Sequence, residues 1–310
     1  MKEELYGTRL YINYSHLENN INYLKNSAKH MQIIAMVKAN AYGLGEINIT
    51  KKLEELGVNY FGVADFEEGI RLRDNGVLSN IIVMNPGINS IKTIIEHDLE
   101  PVIYNNFIFF ELIKSIKSPS KKTKNSLLKN KICVHIKINT GMNRWGFLPS
   151  DLPKLILKLK NIKRITIGSI YSHLASAENE VDDTFTKNQI STLEKVKTMF
   201  SEELNYPVNA HIFNSAGLLR FDDTNNKFDY MRLGISLYGG IPHVNLKPVA
   251  ELKCHIAQII IINPKETIGY NRKYMAKKRM KIGIIPFGYA DGLQRSWGNG
   301  LLKFYHNKKL

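Results

Sequence analysis

The sequence is poor in cysteine and has no long hydrophobic run. Its 310 residues include only two cysteines, Cys133 and Cys254. They lie too far apart for a disulfide framework or a zinc motif, and their scarcity fits a reducing compartment. The amino-terminal stretch MKEELYGTRL lacks the apolar core of a signal peptide. The longest apolar run, IAQIIII at 256–262, is too short to span a bilayer. We therefore expect a cytoplasmic protein with no metal site and no membrane partner.

Acidic residues are also scarce relative to basic ones. The chain has 43 Lys and Arg against 28 Asp and Glu, which gives a net charge of +15. A basic protein can bind nucleic acid. Here, however, the lysines are spread over the whole chain, as a general lysine bias would produce. The one dense cluster, KSPSKKTKNSLLKNK at 117–131, has almost no apolar pattern and is predicted to be a solvated loop. We expect no nucleic-acid partner.

What the chain does have is a repeated unit, a short apolar run followed by an amphipathic segment. The amphipathic segments have apolar residues at three- and four-residue spacing, which is typical of a helix with one buried face. Gly57 and Gly76 stand where helices are expected to end. Helices are predicted at 49–57, 66–76, 90–99 and 188–200, and strands at 33–38, 60–64, 80–85, 101–104, 132–139, 165–173, 209–215 and 229–239.

Eight such units predict an α/β fold with an eight-stranded parallel (β/α)8 barrel. A doubly wound open sheet is the alternative. It is weakened because no GxGxxG follows the first strand. After about residue 245 the strands have no helices between them, which indicates a β-rich C-terminal domain. We predict a strand in 1–15 that pairs with that domain, a barrel at 16–243, and the β-rich domain at 244–310.

Several predicted strands end on polar residues. Functional groups of a barrel gather at the carboxyl ends of its strands. Lys38 ends the first strand, where burying an ammonium is costly unless it is paired or used chemically. The other polar residues at strand ends are Lys137, Asn139, His173, Asn214, Ser215 and Arg232. Five strands with polar ends on one rim indicate a functional site, with Lys38 as a reactive lysine.

The stretch VKANAYGLG (37–45) is similar to the lysine motif of the alanine racemases, pyridoxal-phosphate enzymes built on a barrel plus a β-domain. Six further segments resemble family segments, and they follow one another in the family's order. They are INTGMNRWGF (138–147), YSHLASAE (171–178), FNSAG (213–217), MRLGISLYG (231–239), IGYNRKY (268–274) and FGYADG (287–292).

The resemblance implies two catalytic residues. Lys38 would form the Schiff base with the aldehyde of pyridoxal 5'-phosphate and act as the base on one face of the substrate Cα. A primary amine is the side chain that can make such an imine, and desolvation is expected to lower its pKa. Tyr270, reaching in from the second subunit of a homodimer with a shared active site, would be the base on the opposite face. Racemisation requires two such faces.

Further roles follow from the same resemblance. Tyr42, Ser215 and the backbone amides of Gly234 and Ile235 would hold the phosphate, with Asn214 beside them. Asn214 and Ser215 are also typical of an ordinary helix N-cap, and such a cap is compatible with phosphate binding.

The remaining roles concern the rest of the cofactor and the substrate. Arg144 would contact the cofactor phenolate and the substrate carboxylate, and Tyr289 would line the site. Lys137 is a candidate for carbamylation, in which the new carboxylate orients Arg144, although it could instead pair with an acidic group. Arg232 would face the pyridine nitrogen, with His173 bonded behind it.

Arg232 separates two activities of this fold. A guanidinium, with a pKa above about 12, does not protonate the ring, which is then a weaker electron sink. Transamination is thereby disfavoured. Related barrel decarboxylases are expected to have a carboxylate at this position.

The sequence departs from the family at two places. Asn139 stands where the family has an aspartate, a change expected to be tolerated. The chain also stops at NGLLKFYHNKKL, before a family segment with Met-Asp and a later phosphate-binding tyrosine. The C-terminal domain therefore looks truncated. We expect exposed edges, reduced stability and weakened dimerisation.

The resemblance implies an alanine racemase that interconverts L- and D-alanine by a two-base mechanism and supplies D-alanine for peptidoglycan. Within enzymes, the alternatives are a broader-specificity or serine racemase and a related decarboxylase, which Arg232 disfavours. Outside them, the alternatives are a non-catalytic pyridoxal-phosphate-binding protein and an inactive truncated remnant.

Overall fold

A computed structural model describes residues 7–117, 131–221 and 227–298. The chain divides into two compact units. One is Tyr14–Val249, and the other combines Met1–Asn13 with Ala250–Leu310. Most of the lysine-rich cluster at 117–131 lies outside the described residues. The segment LLKFYH (301–306), which the sequence predicts to be a strand of the β-rich domain, also lies outside them.

The larger unit is built on one eight-stranded parallel sheet. From Gln32–Met36 to Ala210–His211, each strand lies beside the next strand along the chain, and the last strand, Tyr230–Leu233, pairs with the first. The two end strands meet through the Asp229 N–H, which donates to the Ala210 carbonyl, and the Arg232 N–H, which donates to the Phe213 carbonyl, both at 2.9 Å. The sheet thus curls into a barrel, as the sequence predicted. The strands are β2 (Gln32–Met36), β3 (Tyr60–Val63), β4 (Asn80–Val83), β5 (Glu100–Ile103), β6 (Ile132–Lys137), β7 (Ile165–Tyr171), β8 (Ala210–His211) and β9 (Tyr230–Leu233).

Helices follow most of these strands and cover the outside of the sheet with apolar faces. The strands are nearly continuous runs of apolar residues because both of their faces are covered. Gly57 and Gly76 have φ of +78° and +85°, which only glycine adopts readily. The helices are α1 (Tyr14–Ser27), α2 (Glu46–Glu55), α3 (Phe66–Asp74), α4 (Ile91–Glu96), α5 (Asn106–Lys117), α6 (Leu152–Lys160), α7 (Asp183–Leu204) and α8 (Ser215–Phe221).

All eight predicted strands extend past the ends of the observed strands, six of them by one or two residues. The first strand, for example, ends at Met36 rather than Lys38, and the runs 209–215 and 229–239 contain strands of only two and four residues. Their remaining apolar residues are buried in turns, not in the sheet. Leu237, for example, is fully buried in a turn whose N–H bonds to the Gly234 carbonyl at 2.9 Å. In a sequence, an apolar residue that is buried in a turn cannot be distinguished from one that is buried in a strand.

In its described residues, 7–13 and 250–298, the smaller unit contains three antiparallel strand pairs. Its first strand, β1 (Arg9–Ile12), pairs with β10 (Ala250–Lys253). The other pairs are β11 (Gln258–Ile262) with β14 (Met280–Ile284) and β12 (Thr267–Ile268) with β13 (Tyr274–Met275). The β-rich C-terminal domain expected from the sequence is therefore present. Over the described residues of both units, no helix combines the length and the apolar character needed to cross a membrane.

Candidate active site

The carboxyl ends of the barrel strands surround a cavity of about 520 Å³. Ten of the predicted site residues line it. They are Lys38, Tyr42, Lys137, Arg144, His173, Asn214, Ser215, Arg232, Gly234 and Ile235. Each comes from a strand end or from the loop that follows it. The barrel unit alone thus assembles the predicted cofactor-binding set.

Tyr270 and Tyr289 lie in the smaller unit. Their rings are stacked with centroids 6.4 Å apart, and the two residues are 77% and 54% exposed. Neither belongs to the wall of the barrel cavity. Their assignment to the site therefore remains a prediction.

Lys38 opens an unusual turn, Lys38–Gly43. The four residues that follow it, Ala39 to Tyr42, all have left-handed backbone angles, with φ between +50° and +59°. This conformation costs roughly 1–2 kcal/mol for each non-glycine residue, so neighbouring groups must hold it. Glu68 does so on one side, because its two carboxylate oxygens accept the N–H groups of Ala39 and Ala64, both at 2.7 Å. Lys38 is thus fixed to the next strand of the barrel.

The desolvated lysine of the cavity is Lys137 rather than Lys38. Lys38 is exposed at the cavity mouth, contrary to the expectation that burial activates it. Lys137, the last residue of β6, is only 5% exposed. Burial, together with the charges of Arg232, Arg144 and Lys38, lowers its pKa to about 7. The sequence does not separate the two lysines, because both end apolar strands.

Lys137 has no acidic partner among the described residues. Its Nζ lies 5.4 Å from the ring centroid of Trp145 and 5.5 Å from that of Tyr171. Such cation–π contacts stabilise an ammonium by about 0.5–2 kcal/mol, which is less than burial costs. The described residues therefore do not support the alternative that Lys137 pairs with an acidic group. Lys137 is available for chemistry that removes its charge.

Arg144 stands on a loop that Asn139 organises. The Asn139 side-chain oxygen accepts the N–H groups of Gly141 and Asn143, both at 3.1 Å. An aspartate oxygen would accept the same two bonds, so the departure from the family at Asn139 keeps the loop geometry. Gly146, with φ of +122°, lets the loop return against Asn139, because a Cβ there would lie 2.7 Å from the Asn139 nitrogen.

Arg232 is buried, and both of its terminal guanidinium nitrogens make hydrogen bonds. Its Nη2 donates to the Ser172 carbonyl at 2.6 Å and lies 3.2 Å from Nδ1 of His173. Its Nη1 bonds to Nδ1 of His211. Burial and the charge of Arg232 lower the pKa of His173 to about 3, so His173 is neutral and accepts from the guanidinium. The arginine is thereby held at the cavity floor in one orientation.

The opposite side of the cavity is a cradle of small polar groups. The Ser215 hydroxyl lies 3.4 Å from the Gly234 N–H, 3.2 Å from the Ser236 N–H and 2.8 Å from the Ser236 hydroxyl. The Tyr42 hydroxyl rests on Gly234, where a Cβ would come within 2.2 Å of it. Glycine is therefore required at position 234 for the tyrosine to reach the cradle.

The chain matches two family models that together cover nearly all of it. One is the alanine racemase N-terminal domain over residues 12–242, and the other is the alanine racemase C-terminal domain over residues 249–310. The first match alone spans more than half of the chain. The chain belongs to the alanine racemase family.

Individual members of the alanine racemase family are similar to this chain over most of the chain's length. An alanine racemase from Borreliella burgdorferi is 33% identical over 306 residues, which is 96% of this chain and 79% of the relative. A serine/alanine racemase from Enterococcus gallinarum is 33% identical over 86% of this chain and 38% of its own length. The solved alanine racemase of Clostridium difficile 630 superposes with a TM-score of 0.80 at 30% identity, covering 95% of this chain and 76% of the other.

Sequence reasoning within the alanine racemase resemblance missed some residues of the site. Tyr171 and Trp145 lie inside quoted motifs, yet only the structure places their rings over Lys137. Glu68 carries no signal beyond an acidic pair at the start of a helix. His135 and His211 each interrupt a buried apolar strand, which is a visible signal because buried polar residues need partners.

Proposed function

We propose that this chain is an alanine racemase that interconverts L- and D-alanine with pyridoxal 5'-phosphate as its cofactor. One observation carries the proposal, the charge of the cavity wall. Lys38, Lys137, Arg144 and Arg232 line it, and Glu178 is the one acid among its described lining residues. Such a wall favours anionic ligands. A cofactor phosphate and a substrate carboxylate supply the matching charges.

Features of the wall support the fit to pyridoxal phosphate. The cradle at Tyr42, Ser215 and Gly234 offers hydroxyl and amide groups suited to phosphate oxygens. Tyr171 lines the cavity, and its buried hydroxyl has no hydrogen-bond partner among the described residues, whereas a buried polar atom of this kind needs one. Arg232 can only donate, which suits an unprotonated ring nitrogen.

The cofactor, when bound, supplies an aldehyde for a primary amine and a ring that withdraws electrons from the substrate Cα. In this proposal the Lys38 Nζ takes or returns a proton on one face of Cα. Tyr270 of a second copy of the chain does so through its hydroxyl on the other face, within a homodimer. Its 77% exposure leaves the ring free to meet a second copy.

The other side chains bind and orient. Arg144 binds the substrate carboxylate, and Arg232 donates to the ring nitrogen without protonating it. The phosphate is held by Tyr42, Asn214, Ser215, Gly234 and Ile235. Tyr289 borders the substrate. D-alanine made in this way serves peptidoglycan synthesis.

Lys137 is proposed to be carbamylated. A neutral amine attacks carbon dioxide, a C–N bond forms, and the proton released from nitrogen leaves with the solvent. The pKa of Lys137, lowered to about 7, provides the neutral amine. The product carboxylate would balance Arg144 and Arg232. Carbon-13 bicarbonate should give a carbamate NMR signal that Lys137→Ala lacks and that Lys51→Ala, at an exposed lysine, retains.

A covalent test separates the two lysines. The protein is mixed with pyridoxal phosphate, reduced with borohydride, digested and analysed by mass spectrometry. The label should lie on Lys38. Lys51→Met should leave the labelling unchanged, and Lys38→Met should abolish it. Label on Lys137 instead of Lys38 would overturn the assignment.

Substrate choice is the second point to test. The relative described as a serine/alanine racemase favours serine as the competing substrate. We expect a higher kcat/KM for L-alanine than for L-serine, measured by chiral chromatography of both enantiomers. A preference for serine would replace alanine in the proposal. Cofactor binding without turnover of either amino acid would favour the non-catalytic alternatives.

A further inference from the structure

Polar side chains run in a row through the barrel interior, away from the cavity. Besides Arg232 they are His211, Ser169, His135 and Glu100, from four consecutive strands of the sheet. His135, Ser169 and His211 are each at most 2% exposed, and the Glu100 side chain is 15% exposed. The reaction proposed above uses none of these four. Buried groups of this kind are costly unless fully hydrogen-bonded.

The strands are built to accommodate the row. The pairing of β6 with β7 shifts register between Val134 and His135, and a bulge of this kind re-aims a side chain. Gly168 provides the space, because a Cβ there would lie 2.9 Å from the His135 ring. The arrangement is therefore a local departure from regular sheet geometry that serves one side chain.

Each member contacts the next within hydrogen-bond distance. Arg232 Nη1 bonds to His211 Nδ1. His211 Nε2 lies 2.8 Å from Ser169 Oγ, and Ser169 Oγ lies 2.7 Å from His135 Nδ1. His135 Nε2 lies 2.8 Å from Glu100 Oε2. The chain thus joins the cation at the cavity floor to a carboxylate at the start of β5.

The direction of every bond follows from the two ends. Arginine only donates, so His211 Nδ1 accepts and His211 Nε2–H donates to Ser169. The Ser169 hydroxyl then donates to His135 Nδ1, and His135 Nε2–H donates to the Glu100 carboxylate. Both histidines are neutral and carry their proton on Nε2. Burial and the neighbouring Arg232 also lower the pKa of His211 well below its usual range.

Other protonation states leave a group unsatisfied. If His135 were doubly protonated, or if Glu100 carried the proton and donated to His135 Nε2, His135 Nδ1–H would donate to Ser169. The serine oxygen would then receive two donors, and its own proton would have no acceptor among the described residues.

A metal at Glu100, Cys133 and His135 is also disfavoured. Their ligand atoms lie within 4.8 Å of one another. However, both His135 nitrogens are already in hydrogen bonds. Burial further raises the pKa of the Cys133 thiol, which disfavours the thiolate that a metal requires.

We propose that Glu100, His135 and Ser169 are positioning residues that act through His211 to hold Arg232 as a fixed donor at the cavity floor. Glu100 supplies the final acceptor and a negative charge at the far end of the hydrogen-bond chain. The effect of this hydrogen-bond chain on the cofactor rests on the proposed function. The existence of the hydrogen-bond chain and the tautomers of its two histidines do not depend on that function.

The first test needs neither cofactor nor substrate. Long-range proton–nitrogen NMR of the 15N-labelled full chain distinguishes histidine tautomers, and His135→Asn and His211→Asn assign the two signals among nine histidines. We expect both rings as the neutral Nε2–H form. A Nδ1–H or doubly protonated ring at either position, or loss of the signals on adding Zn²⁺, would overturn the proposal.

The second test uses the protein with pyridoxal phosphate bound. Ser169→Ala breaks the chain at its centre, Glu100→Gln keeps an acceptor but removes the charge, and Ser115→Ala is a control at a buried serine outside the row. Ser169→Ala leaves the His211 Nε2–H donor unpaired in a buried position, which is costly. We expect kcat to fall about tenfold or more in Ser169→Ala, with KM little changed and a shifted absorption band of the bound cofactor.

Thermal unfolding guards against a trivial loss of fold. If Ser169→Ala does not fold, Glu100→Gln at the partly exposed end carries the test. Glu100→Gln should keep both tautomers and still lower kcat and shift the cofactor absorption. Kinetics and spectra identical to wild type in the folded variants would refute the positioning role. Correct tautomers in a protein that racemises nothing would instead refute the proposed function and leave the hydrogen-bond chain intact.

Discussion

Single residues of the cavity differ sharply in what their surroundings do to them. Lys38 and Lys137 both follow apolar strands, yet the first is exposed and the second is buried among cations. The sequence predicts that both belong to one site, and both line the same cavity. It does not predict which one loses its charge, because that depends on where Arg144, Arg232 and the rings of Trp145 and Tyr171 stand in space.

The lowered pKa of Lys137 makes a prediction about stability. In the unfolded chain Lys137 keeps a lysine pKa near 10.5, while in the folded state it is about 7. The unfolded state therefore binds more protons between these values, and this group makes the free energy of unfolding rise as pH increases from about 7 to about 10.5. Urea unfolding at pH 7 and pH 9, in buffers freed of carbon dioxide so that Lys137 is a free amine, should show that rise reduced in Lys137→Met. An unchanged rise would contradict it, and Lys114→Met, at an exposed lysine, is the control.

Gly234 makes a prediction about cofactor binding. A methyl group at this position would meet the Tyr42 hydroxyl at 2.2 Å, so Gly234→Ala must displace Tyr42 from the phosphate cradle. Losing such a hydrogen bond to a charged group costs about 1.5–3 kcal/mol. We expect pyridoxal phosphate affinity to fall at least tenfold by fluorescence titration. Gly288→Ala is a matched control, because its Cβ would meet nothing within 4 Å.

Elements of regular structure follow closely from the sequence. Strands β3 to β7 begin within one residue of their predicted starts because runs such as NIIV and ICVHIK consist mainly of apolar residues. The left-handed turn after Lys38 is different. KANAY contains no glycine, and only Asn40 among its residues tolerates positive φ readily. The turn depends on Glu68, which is distant in sequence and is brought close by the barrel.

Glu68 provides the test at this scale. Glu68→Ala removes two charge-assisted bonds from the backbone of Ala39 and Ala64, so we expect the free energy of unfolding to fall by about 1–3 kcal/mol. Hydrogen exchange at these two amides should accelerate as well. Glu67→Ala changes the neighbouring exposed glutamate and should do neither. Unchanged exchange in Glu68→Ala would show that the turn is held by other groups.

The buried row from Glu100 to Arg232 is only partly visible in the sequence. His135, Ser169 and His211 stand out as polar residues in apolar strands, so a network could be suspected from strand composition. Their pairing depends on strand register and on the shift at Val134 and His135, and neither can be read from one sequence. The partners of buried polar groups are thus a property of the sheet rather than of its strands.

At the scale of the whole molecule, the sequence predicts the fold class and the grouping of ten cavity residues on one rim. The barrel supplies all of the proposed cofactor contacts, whereas Tyr270 and Tyr289 belong to the other unit. The account therefore divides the reaction between one base in the barrel and one from the smaller unit of a second copy. Cofactor binding should survive loss of Tyr270, while racemisation should not.

Proton exchange at the substrate Cα tests this account most directly. The protein, pyridoxal phosphate and L-alanine are mixed in deuterated water, and loss of the α-proton and formation of D-alanine are followed together by NMR and chiral chromatography. We predict that wild type shows both, and that Tyr270→Phe binds cofactor but makes D-alanine at a greatly reduced rate. Exchange in wild type with no D-alanine would contradict the two-base account, and cofactor binding with neither signal would contradict the proposed activity.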